Sequence, residues 1–281
     1  MAPLSESTVQ CHGVSAEIFE QGSGRPVVFL HSGDGLVHCA PLIEGLSHSA
    51  RVLAPSHPGF GHTALPSAFR YVDDLAYFHL DLLDQLGLDD IVLVGASFGG
   101  WIAQEMAIRS TARIGHLVLI DALGVRLSAD ETAVEIADLF ALHPDEVARR
   151  SWVQPQRWAR NATQMSDDEL LVAARNRESL SLFGWMPYMV NPLLRRWLHR
   201  IDVPTLVLWG EADQIASAEY GRACAAAIPG AVFQLIAGAA HYPGVEQPAA
   251  VASEIVRFAG LPACVPASTA ALAGAQAQAS L

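Results

Sequence analysis

The chain has 281 residues, of which 51% are hydrophobic and 16% are charged. That balance is typical of a globular protein with buried strands, and it excludes a disordered, highly charged chain. The formal net charge is -12 at pH 7. Because binding to nucleic-acid phosphates needs clustered basic residues, this acidic balance argues against a nucleic-acid partner.

Targeting signals and cysteines exclude two further classes. Residues 1–10 lack the basic start and apolar stretch of a secretory signal, and no apolar run approaches the ~18 to 20 residues of a membrane span. We therefore expect a cytoplasmic protein with no membrane partner. The cysteines lack the spacing of a zinc site, which predicts ordinary thiols and no bound metal: Cys11, Cys39, Cys224 and Cys264.

The first half of the chain alternates strand signals with helix signals. Four short apolar runs predict buried strands: residues 26–30 (PVVFL), 51–54 (RVLA), 91–94 (IVLV) and 116–120 (HLVLI). Residues 72–86 carry apolar side chains at helical spacing with acids opposite, which predicts a helix that covers one face of the sheet.

Strand signals stop between residues 127 and 200. Helix starts are predicted there by two capping boxes and one Asn-Pro pair: Ser128 with Glu131, Ser166 with Glu169, and Asn191 with Pro192. Strand character returns at 204–209 (PTLVLW) and 231–236, and a last helix is predicted near 249–258.

This order predicts an α/β fold with a mostly parallel sheet flanked by helices. A helical cap, residues 127–200, is inserted between the sixth and seventh main strands. The core is discontinuous and comprises residues 1–126 and 201–261. Residues 262–281 are rich in Ala, Ser and Gln without apolar periodicity, which predicts a mobile tail.

The first chemical motif is residues 95–100 (GASFGG), which follow a predicted strand and precede a helix. This strand, sharp turn and helix are the context that a nucleophile elbow requires, with Ser97 as the nucleophile. A bare GxSxG is common by chance, so the motif depends on this context.

Two later motifs supply the partners that a serine nucleophile needs. A serine hydroxyl requires a base, and the base must be oriented by a third group. Asp213 follows one predicted strand within WGEAD, and His241 follows the next strand. Because catalytic groups in parallel sheets gather at the carboxyl ends of strands, we expect Ser97, His241 and Asp213 to converge.

These motifs, in this order, resemble the α/β-hydrolase superfamily with a helical cap, over residues 14–260. Residues 54–62 (APSHPGFGH) also resemble a stretch of that family, although His57 stands where the family more often carries an acid. The resemblance implies an oxyanion hole formed by the amides of Gly33 and Phe98. It also makes His31 a support of the oxyanion loop, in which Ser32 replaces the usual glycine.

Several other residues suit either packing or a function at the site. Trp185 and Tyr188 belong to an aromatic cluster at the end of the predicted cap, and we expect at least one to contact substrate in an apolar pocket. Asp34 suits a structural role in its loop. Packing is favoured over substrate contact for His57, and we expect surface or packing roles for the remaining histidines, including His38, His48, His79 and His143.

The predicted reaction is acyl transfer by Ser97, with His241 moving protons and water releasing the acyl-enzyme, without a metal or organic cofactor. We expect a small-molecule ester or lactone with an apolar acyl group, because the predicted cap offers many apolar side chains. Two alternatives stay open: hydrolysis of a carbon-carbon bond in a ring-cleavage product, and a small-molecule receptor that retains the triad. The oligomeric state is left open.

The orienting acid has a rival. Asp121 follows the strand at 116–120, and this fold can supply the acid from either strand end. Asp213 matches the commoner family position and is favoured, while Asp121 is expected to cap the exit of the chain into the insertion.

Overall fold

The computed structural model describes residues 5–130, 133–159 and 161–262. Its strands are β1 (Ser5–Cys11), β2 (Val14–Gly22), β3 (Pro26–Leu30), β4 (Arg51–Pro55), β5 (Ile91–Ala96), β6 (Ile114–Ile120), β7 (Gly124–Val125), β8 (Val190–Asn191), β9 (Thr205–Gly210) and β10 (Val232–Ile236). The main sheet has eight strands in the order β1-β2-β4-β3-β5-β6-β9-β10, and β7 pairs with β8 separately.

The sheet is mostly parallel, as predicted. Six strands, in the order β4-β3-β5-β6-β9-β10, run parallel to one another. At the other edge, β1 pairs with β2, and β2 with β4, in antiparallel fashion. Strands β1 and β2 were not predicted. β1 is largely exposed, and β2 buries alternate residues at Val14, Ala16 and Ile18, so neither carries the continuous apolar run of a parallel strand.

Helices cover both faces of the sheet. The α-helices of the described residues are α1 (Ala40–Ser47), α2 (Val72–Gln85), α3 (Phe98–Arg109), α4 (Pro144–Ser151), α5 (Pro155–Trp158), α6 (Asp167–Gly184), α7 (Leu194–Trp197), α8 (Ala218–Ala226), α9 (Pro243–Glu246) and α10 (Pro248–Phe258). Helix α2 confirms the helix predicted at 72–86. Helices α2, α3 and α8 pack on one face, and α1 and α10 pack on the other.

The strands supply both faces because successive side chains point to opposite sides of a sheet. In β3, Val28 and Leu30 join the cluster under α2 and α3, whereas Val27 and Phe29 join the cluster under α1 and α10. This double burial holds the carboxyl ends of the parallel strands in place, and the site is built there.

Residues 127–200, which we call the insert, connect β6 to β9, the sixth and seventh strands of the main sheet along the chain. Helices α4 to α7 lie within it. The predicted capping box at the start of α6 is confirmed: the Glu169 amide donates to Ser166 Oγ at 3.3 Å, and the Ser166 amide donates to Glu169 Oε2 at 2.8 Å.

Two other predicted helix starts differ. No helix occurs in the described residues 127–130 and 133–143, because Ser128 Oγ accepts from the Asp130 amide in a local turn. Its predicted partner, Glu131, lies outside the described residues. Asn191 belongs to β8, where its side chain accepts from the Leu193 amide, and α7 begins later, at Leu194.

Further predictions concerned the cysteines, the C-terminal residues and the division into domains. Cys11, Cys39 and Cys224 are buried free thiols, as predicted. Cys264 and residues 263–281 of the predicted tail lie outside the described residues, and the division of the chain into separate core and cap domains stays a prediction. Among the helices of the described ranges, none has both the length and the apolar character needed to cross a membrane.

Candidate active site

Ser97 lies at the sharp turn between β5 and α3. Its backbone φ of 51° and ψ of -114° fall in a region that L-residues rarely adopt. The turn packs closely against β3, because a Cβ atom added at Gly99 would lie 2.2 Å from the carbonyl oxygen of Leu30. Glycine at position 99 therefore allows α3 to begin directly behind the serine, as an elbow requires.

Ser97, His241 and Asp213 form a continuous hydrogen-bonded chain. Ser97 Oγ lies 2.9 Å from His241 Nε2, and His241 Nδ1 lies 2.8 Å from Asp213 Oδ2. A carboxylate only accepts, so neutral His241 carries its proton on Nδ1 and leaves Nε2 to accept from the Ser97 hydroxyl. All three side chains are buried. The structure thus brings together the three residues predicted to act as nucleophile, base and acid.

The orientation of Asp213 is fixed by the chain that follows it. Its Oδ1 atom accepts hydrogen bonds from the amides of Ile215 at 2.7 Å and Ala216 at 3.2 Å. Oδ2 is then directed at the imidazole. Three donors surround this side chain, which is the environment of an ionised carboxylate.

The insert is bonded to both loops that carry these residues. The His241 amide donates to the carbonyl of Ser151 at 3.1 Å, and the Gln214 amide donates to the carbonyl of Arg150 at 3.3 Å. The end of α4 therefore contacts the loop of His241 and the loop of Asp213 through main-chain groups.

Asp121, the rival acid, lies beside this chain and makes no hydrogen bond to His241. Its Oδ1 atom accepts from the Gly210 amide at 2.9 Å. One ligand atom each from Asp121, Asp213 and His241 lie within 4.8 Å of one another, a grouping that can hold a metal. The hydrogen bond between His241 and Asp213 already occupies two of those three residues.

Gly33 and Phe98, the two predicted oxyanion-hole residues, line the same cavity as Ser97. Phe98 is the first residue of α3, and the first amides of a helix have no acceptor within it. Gly33 packs against α6, because an added Cβ would lie 2.7 Å from Leu180 Cδ2. Both residues are adjacent to the nucleophile, and their role as oxyanion donors stays a prediction.

Three buried histidines form a hydrogen-bonded cluster at the predicted oxyanion loop, residues 31–35, which follows β3. The His31 Nδ1 atom lies 2.7 Å from the carbonyl of Ser32, and His31 Nε2 accepts from the His57 amide at 3.1 Å. His57 Nε2 lies 3.0 Å from the carbonyl of His31, and His57 Nδ1 lies 2.8 Å from His79 Nε2. Because carbonyls only accept, His31 is protonated on Nδ1 and His57 on Nε2, and His79 donates through Nε2.

Burial keeps this histidine cluster uncharged. Burial lowers the pKa of His31 to about 4 and that of His79 to about 3, and it lowers the pKa of His57 well below its usual range. His57 is fully buried and does not line the cavity, so it packs rather than contacts substrate. The packing predicted for His79 includes this hydrogen bond.

A cavity of about 470 Å³ lies in front of Ser97. The insert supplies most of its apolar wall, including Trp152 and Trp158. Trp152 stacks on Tyr242 with ring centroids 4.5 Å apart, and the Tyr242 hydroxyl donates to Asp34 Oδ2 at 2.6 Å. Asp34 therefore bonds to a neighbouring loop and also lines the cavity, so its predicted structural role stays a prediction.

Sequence reasoning missed several lining residues. Trp152, Trp158 and Asn176 lie on the insert, and no motif marks them. Tyr242 directly follows His241, and that adjacency was the one available signal. His38, predicted to be a surface or packing residue, lines the cavity as well.

Trp185 and Tyr188, the predicted substrate contacts, are not among the residues that line this cavity. Trp185 follows the end of α6, is 58% exposed and packs against Phe140 at 5.5 Å between ring centroids. The Tyr188 hydroxyl donates to the Ala137 carbonyl at 2.7 Å and accepts from the Leu139 amide at 2.6 Å. Both side chains are used within the insert, and Trp152 and Trp158 occupy the cavity wall instead.

Comparison with known proteins identifies the family. The model of the "Alpha/beta hydrolase family" matches residues 27–254. A 2-hydroxymuconate semialdehyde hydrolase from Pseudomonas sp. strain CF600 is 28% identical over 265 residues, covering 88% of this chain and 90% of that protein. A 2-hydroxy-6-oxo-2,4-heptadienoate hydrolase from Pseudomonas putida is 40% identical over 118 residues, and the match spans less than half of either chain, at 40% and 43%.

A solved structure supports the same fold. A putative lipase from Acinetobacter baumannii superimposes with a TM-score of 0.76 at 18% sequence identity, covering 91% of this chain and 90% of that one. The family match spans most of the chain, including the positions of Ser97, Asp213 and His241. The chain belongs to the alpha/beta hydrolase family.

Proposed function

We propose that the protein is a serine hydrolase that cleaves an ester or lactone of a small, largely apolar molecule. The observation that carries this proposal is the hydrogen-bonded chain from Asp213 through His241 to Ser97, which ends in the 470 Å³ cavity. A nucleophile beside an oriented base is the arrangement that activates serine.

The proposed mechanism follows from the tautomer of His241. Ser97 Oγ attacks the carbonyl carbon while its proton passes to Nε2, and Asp213 stabilises the imidazolium that forms. The amides of Gly33 and Phe98 donate to the oxygen that becomes negative. His241 then protonates the leaving group and activates the water that releases the acyl group from Ser97.

The cavity supports a small, apolar substrate. Ligand pockets of ~300 to 1,000 Å³ with few polar groups are typical of small-molecule sites, and this one falls within that range. Trp152 and Trp158 offer aromatic faces to the substrate, and Arg177 supplies a polar group on the side of α6. The Asn176 side chain lines the cavity too, but its amide is already bonded to Gly61 and Asp34.

A second candidate is hydrolysis of a carbon-carbon bond in a ring-cleavage product. Two relatives are named for such substrates, and a dienoate carries a carboxylate that needs a cation. Arg177 is the single arginine among the described residues that line the cavity. Its guanidinium lies over the Phe140 ring at 4.8 Å, and it donates to the Leu139 carbonyl at 2.7 Å.

The nucleophile is tested by labelling with a fluorophosphonate followed by peptide mapping. We expect a covalent adduct on Ser97, no adduct in Ser97→Ala, and turnover in that variant lower by several orders of magnitude because no other group there attacks the carbonyl. Labelling at a different residue, or near wild-type turnover of Ser97→Ala, would contradict the proposed function.

The two substrate classes are separated by kcat/KM for a short-chain aryl ester and for a vinylogous diketone acid. Arg177→Gln should leave the neutral ester within about threefold and lower the acid at least about tenfold if carbon-carbon cleavage is the true reaction, since hydrogen bonds to charged groups contribute ~1.5 to 3 kcal/mol. Arg175→Gln, on the same helix but outside the cavity lining, is the matched control. Higher efficiency with the acid would move the assignment to carbon-carbon hydrolysis.

A further inference from the structure

Asp121 is a fully buried carboxyl group that the proposed mechanism does not use. It follows β6 with a backbone φ of 43°, a left-handed conformation that Asp and Asn adopt more readily than most residues. Oδ1 accepts from the Gly210 amide, but Oδ2 is buried and has no donor within the described part of the chain. A buried acceptor without a donor is costly, so this atom needs an explanation.

The carboxyl of Asp213 lies beside that of Asp121: one oxygen of each, together with a ring nitrogen of His241, lie within 4.8 Å of one another. Two ionised carboxylates are both acceptors and cannot form a hydrogen bond with each other, and at this separation their charges repel. One proton between the two carboxyl groups removes both the repulsion and the missing donor. The protonated residue donates a hydrogen bond, and the other residue remains as a single buried anion.

The partners of each side chain decide which residue holds the proton. Asp213 receives donors from Ile215, Ala216 and His241, whereas the Asp121 side chain receives, from the described residues, only the Gly210 amide. Burial, then the charge of Asp213 together with a side-chain hydrogen bond to it, raises the pKa of Asp121 well above its usual range. The Gly210 amide acts in the opposite direction and is outweighed.

We infer that Asp121 is a positioning residue that stays protonated at neutral pH and donates a hydrogen bond to Asp213, fixing the carboxylate that orients His241. This inference rests on the proposed function, since it assigns Asp121 a role only through the Ser97, His241 and Asp213 chain. The bond connects Asp213 to the residue that directly follows β6. The proton stays on Asp121 and is not transferred during turnover.

The charged groups around Asp121 agree with a neutral side chain. Asp213, His241 and Glu246 are the titratable groups that face it. Glu246, on α9, accepts from the Ala240 amide at 2.7 Å and the Val153 amide at 2.9 Å, and its charge further raises the pKa of Asp121. A negative charge at Asp121 would be repelled by the charges of both Asp213 and Glu246.

The experiment measures the rate of fluorophosphonate labelling of Ser97 against pH, which requires no knowledge of the substrate. Asp121→Asn keeps an acceptor for Gly210, keeps a neutral donor toward Asp213 and suits the positive φ. Asp121→Gly also suits the positive φ but removes the donor. The two variants therefore differ in the proposed hydrogen bond while sharing a compatible backbone.

With a protonated Asp121, Asp121→Asn labels within about threefold of wild type, and the acidic limb of its pH profile stays in place. Asp121→Gly labels about tenfold or more slowly, as expected for loss of a hydrogen bond to a charged group, and its acidic limb moves to higher pH because Asp213 attracts the imidazole proton more strongly. If Asp121 were ionised, Asp121→Asn would remove a negative charge beside His241, and the limb would move to lower pH. That shift, or wild-type behaviour of Asp121→Gly, overturns the inference.

Infrared spectroscopy gives a test that is independent of folding in Asp121→Gly. The difference spectrum between wild type and Asp121→Asn at neutral pH should contain the C=O stretch of one protonated carboxyl, and a carboxylate band in its place overturns the inference. Absence of labelling at Ser97 in the wild-type protein contradicts the proposed function instead. The two failures are therefore distinguishable.

Discussion

The contact between Gly33 and Leu180 makes the oxyanion loop sensitive to a single methyl group. Gly33 is not among the glycines with positive φ, so its backbone accepts alanine. A Cβ at that position would lie 2.7 Å from Leu180 Cδ2 and 2.9 Å from Leu180 Cδ1, about 0.7 Å closer than ordinary contact. Leu180 is buried in α6, so the strain is divided between that helix and the loop.

We expect Gly33→Ala to displace the Gly33 amide by a few tenths of an ångström or more. A misplacement of ~1 Å can lower the rate ~100-fold, and complete loss of an oxyanion donor lowers it ~100- to 1,000-fold. The predicted loss in kcat is therefore about 10- to 100-fold, with a smaller change in KM because the ground-state carbonyl depends less on this donor.

The double variant Gly33→Ala with Leu180→Ala tests the cause. Removing the Leu180 side chain removes the clash, so kcat should recover most of the way to that of Leu180→Ala alone, measured with a short-chain aryl ester. Thermal melts of all three variants identify unfolding. Additive losses in the double variant would refute the steric argument, and an unchanged kcat in Gly33→Ala would refute the role of this amide.

Three other outcomes are expected. Asp213→Asn should lower turnover by ~10,000-fold, because an amide favours the wrong tautomer of His241. Its melting temperature should be unchanged, and a mild loss of turnover would show that Asp213 is not the orienting acid. Trp152→Ala should change the relative kcat/KM among acyl groups by about tenfold, while Trp185→Ala, outside the cavity, should change it less than about twofold; the reverse ranking would restore Trp185 to the pocket. Acidification from pH 7.5 to pH 4.5 should lower the urea midpoint, because His31 and His79 have pKa values of about 4 and about 3 when folded, against 6.5 as the usual value. At these histidines the unfolded chain then binds more protons, so their contribution to stability is fully present above about pH 6.5 and is lost below it, by ~3 kcal/mol from His31 once the pH falls below about 4. His57 adds to this loss, and the raised pKa of Asp121 opposes it. A flat midpoint would contradict the burial of the three histidines as neutral groups.

The three central residues could be predicted because each lies in the turn or loop that follows a strand of a parallel sheet. Ser97, Asp213 and His241 are distant in sequence, but the carboxyl ends of neighbouring parallel strands share one edge, so local motifs determined a nonlocal arrangement. The preference for Asp213 over Asp121 as the partner of His241 agrees with the hydrogen bonds. Both acids follow strands, and sequence alone gave no distance to choose between them.

The cavity wall could not be predicted in the same way. Trp152 and Asn176 approach the site only because of how the insert folds, and the insert has no repeating strand topology to relate sequence position to space. Trp185 was expected at the pocket because it precedes the last predicted cap helix, in the segment that joins the cap to the core. Instead, α6 extends to Gly184, and the Trp185 side chain that follows it is largely exposed. β2 was missed for a different reason, because an antiparallel strand near the sheet edge buries only alternate side chains.

The bonds from the insert to the loops of His241 and Asp213 limit how this enzyme can be rebuilt. Both acceptors, at Arg150 and Ser151, are main-chain carbonyls, so these two bonds depend on the path of the chain there and not on the identity of the side chains. An insert exchanged with that of another hydrolase would need to reproduce this path, or the recipient would lose two contacts to the loops of His241 and Asp213. We expect deletion of the insert to loosen these two loops rather than only to expose Ser97.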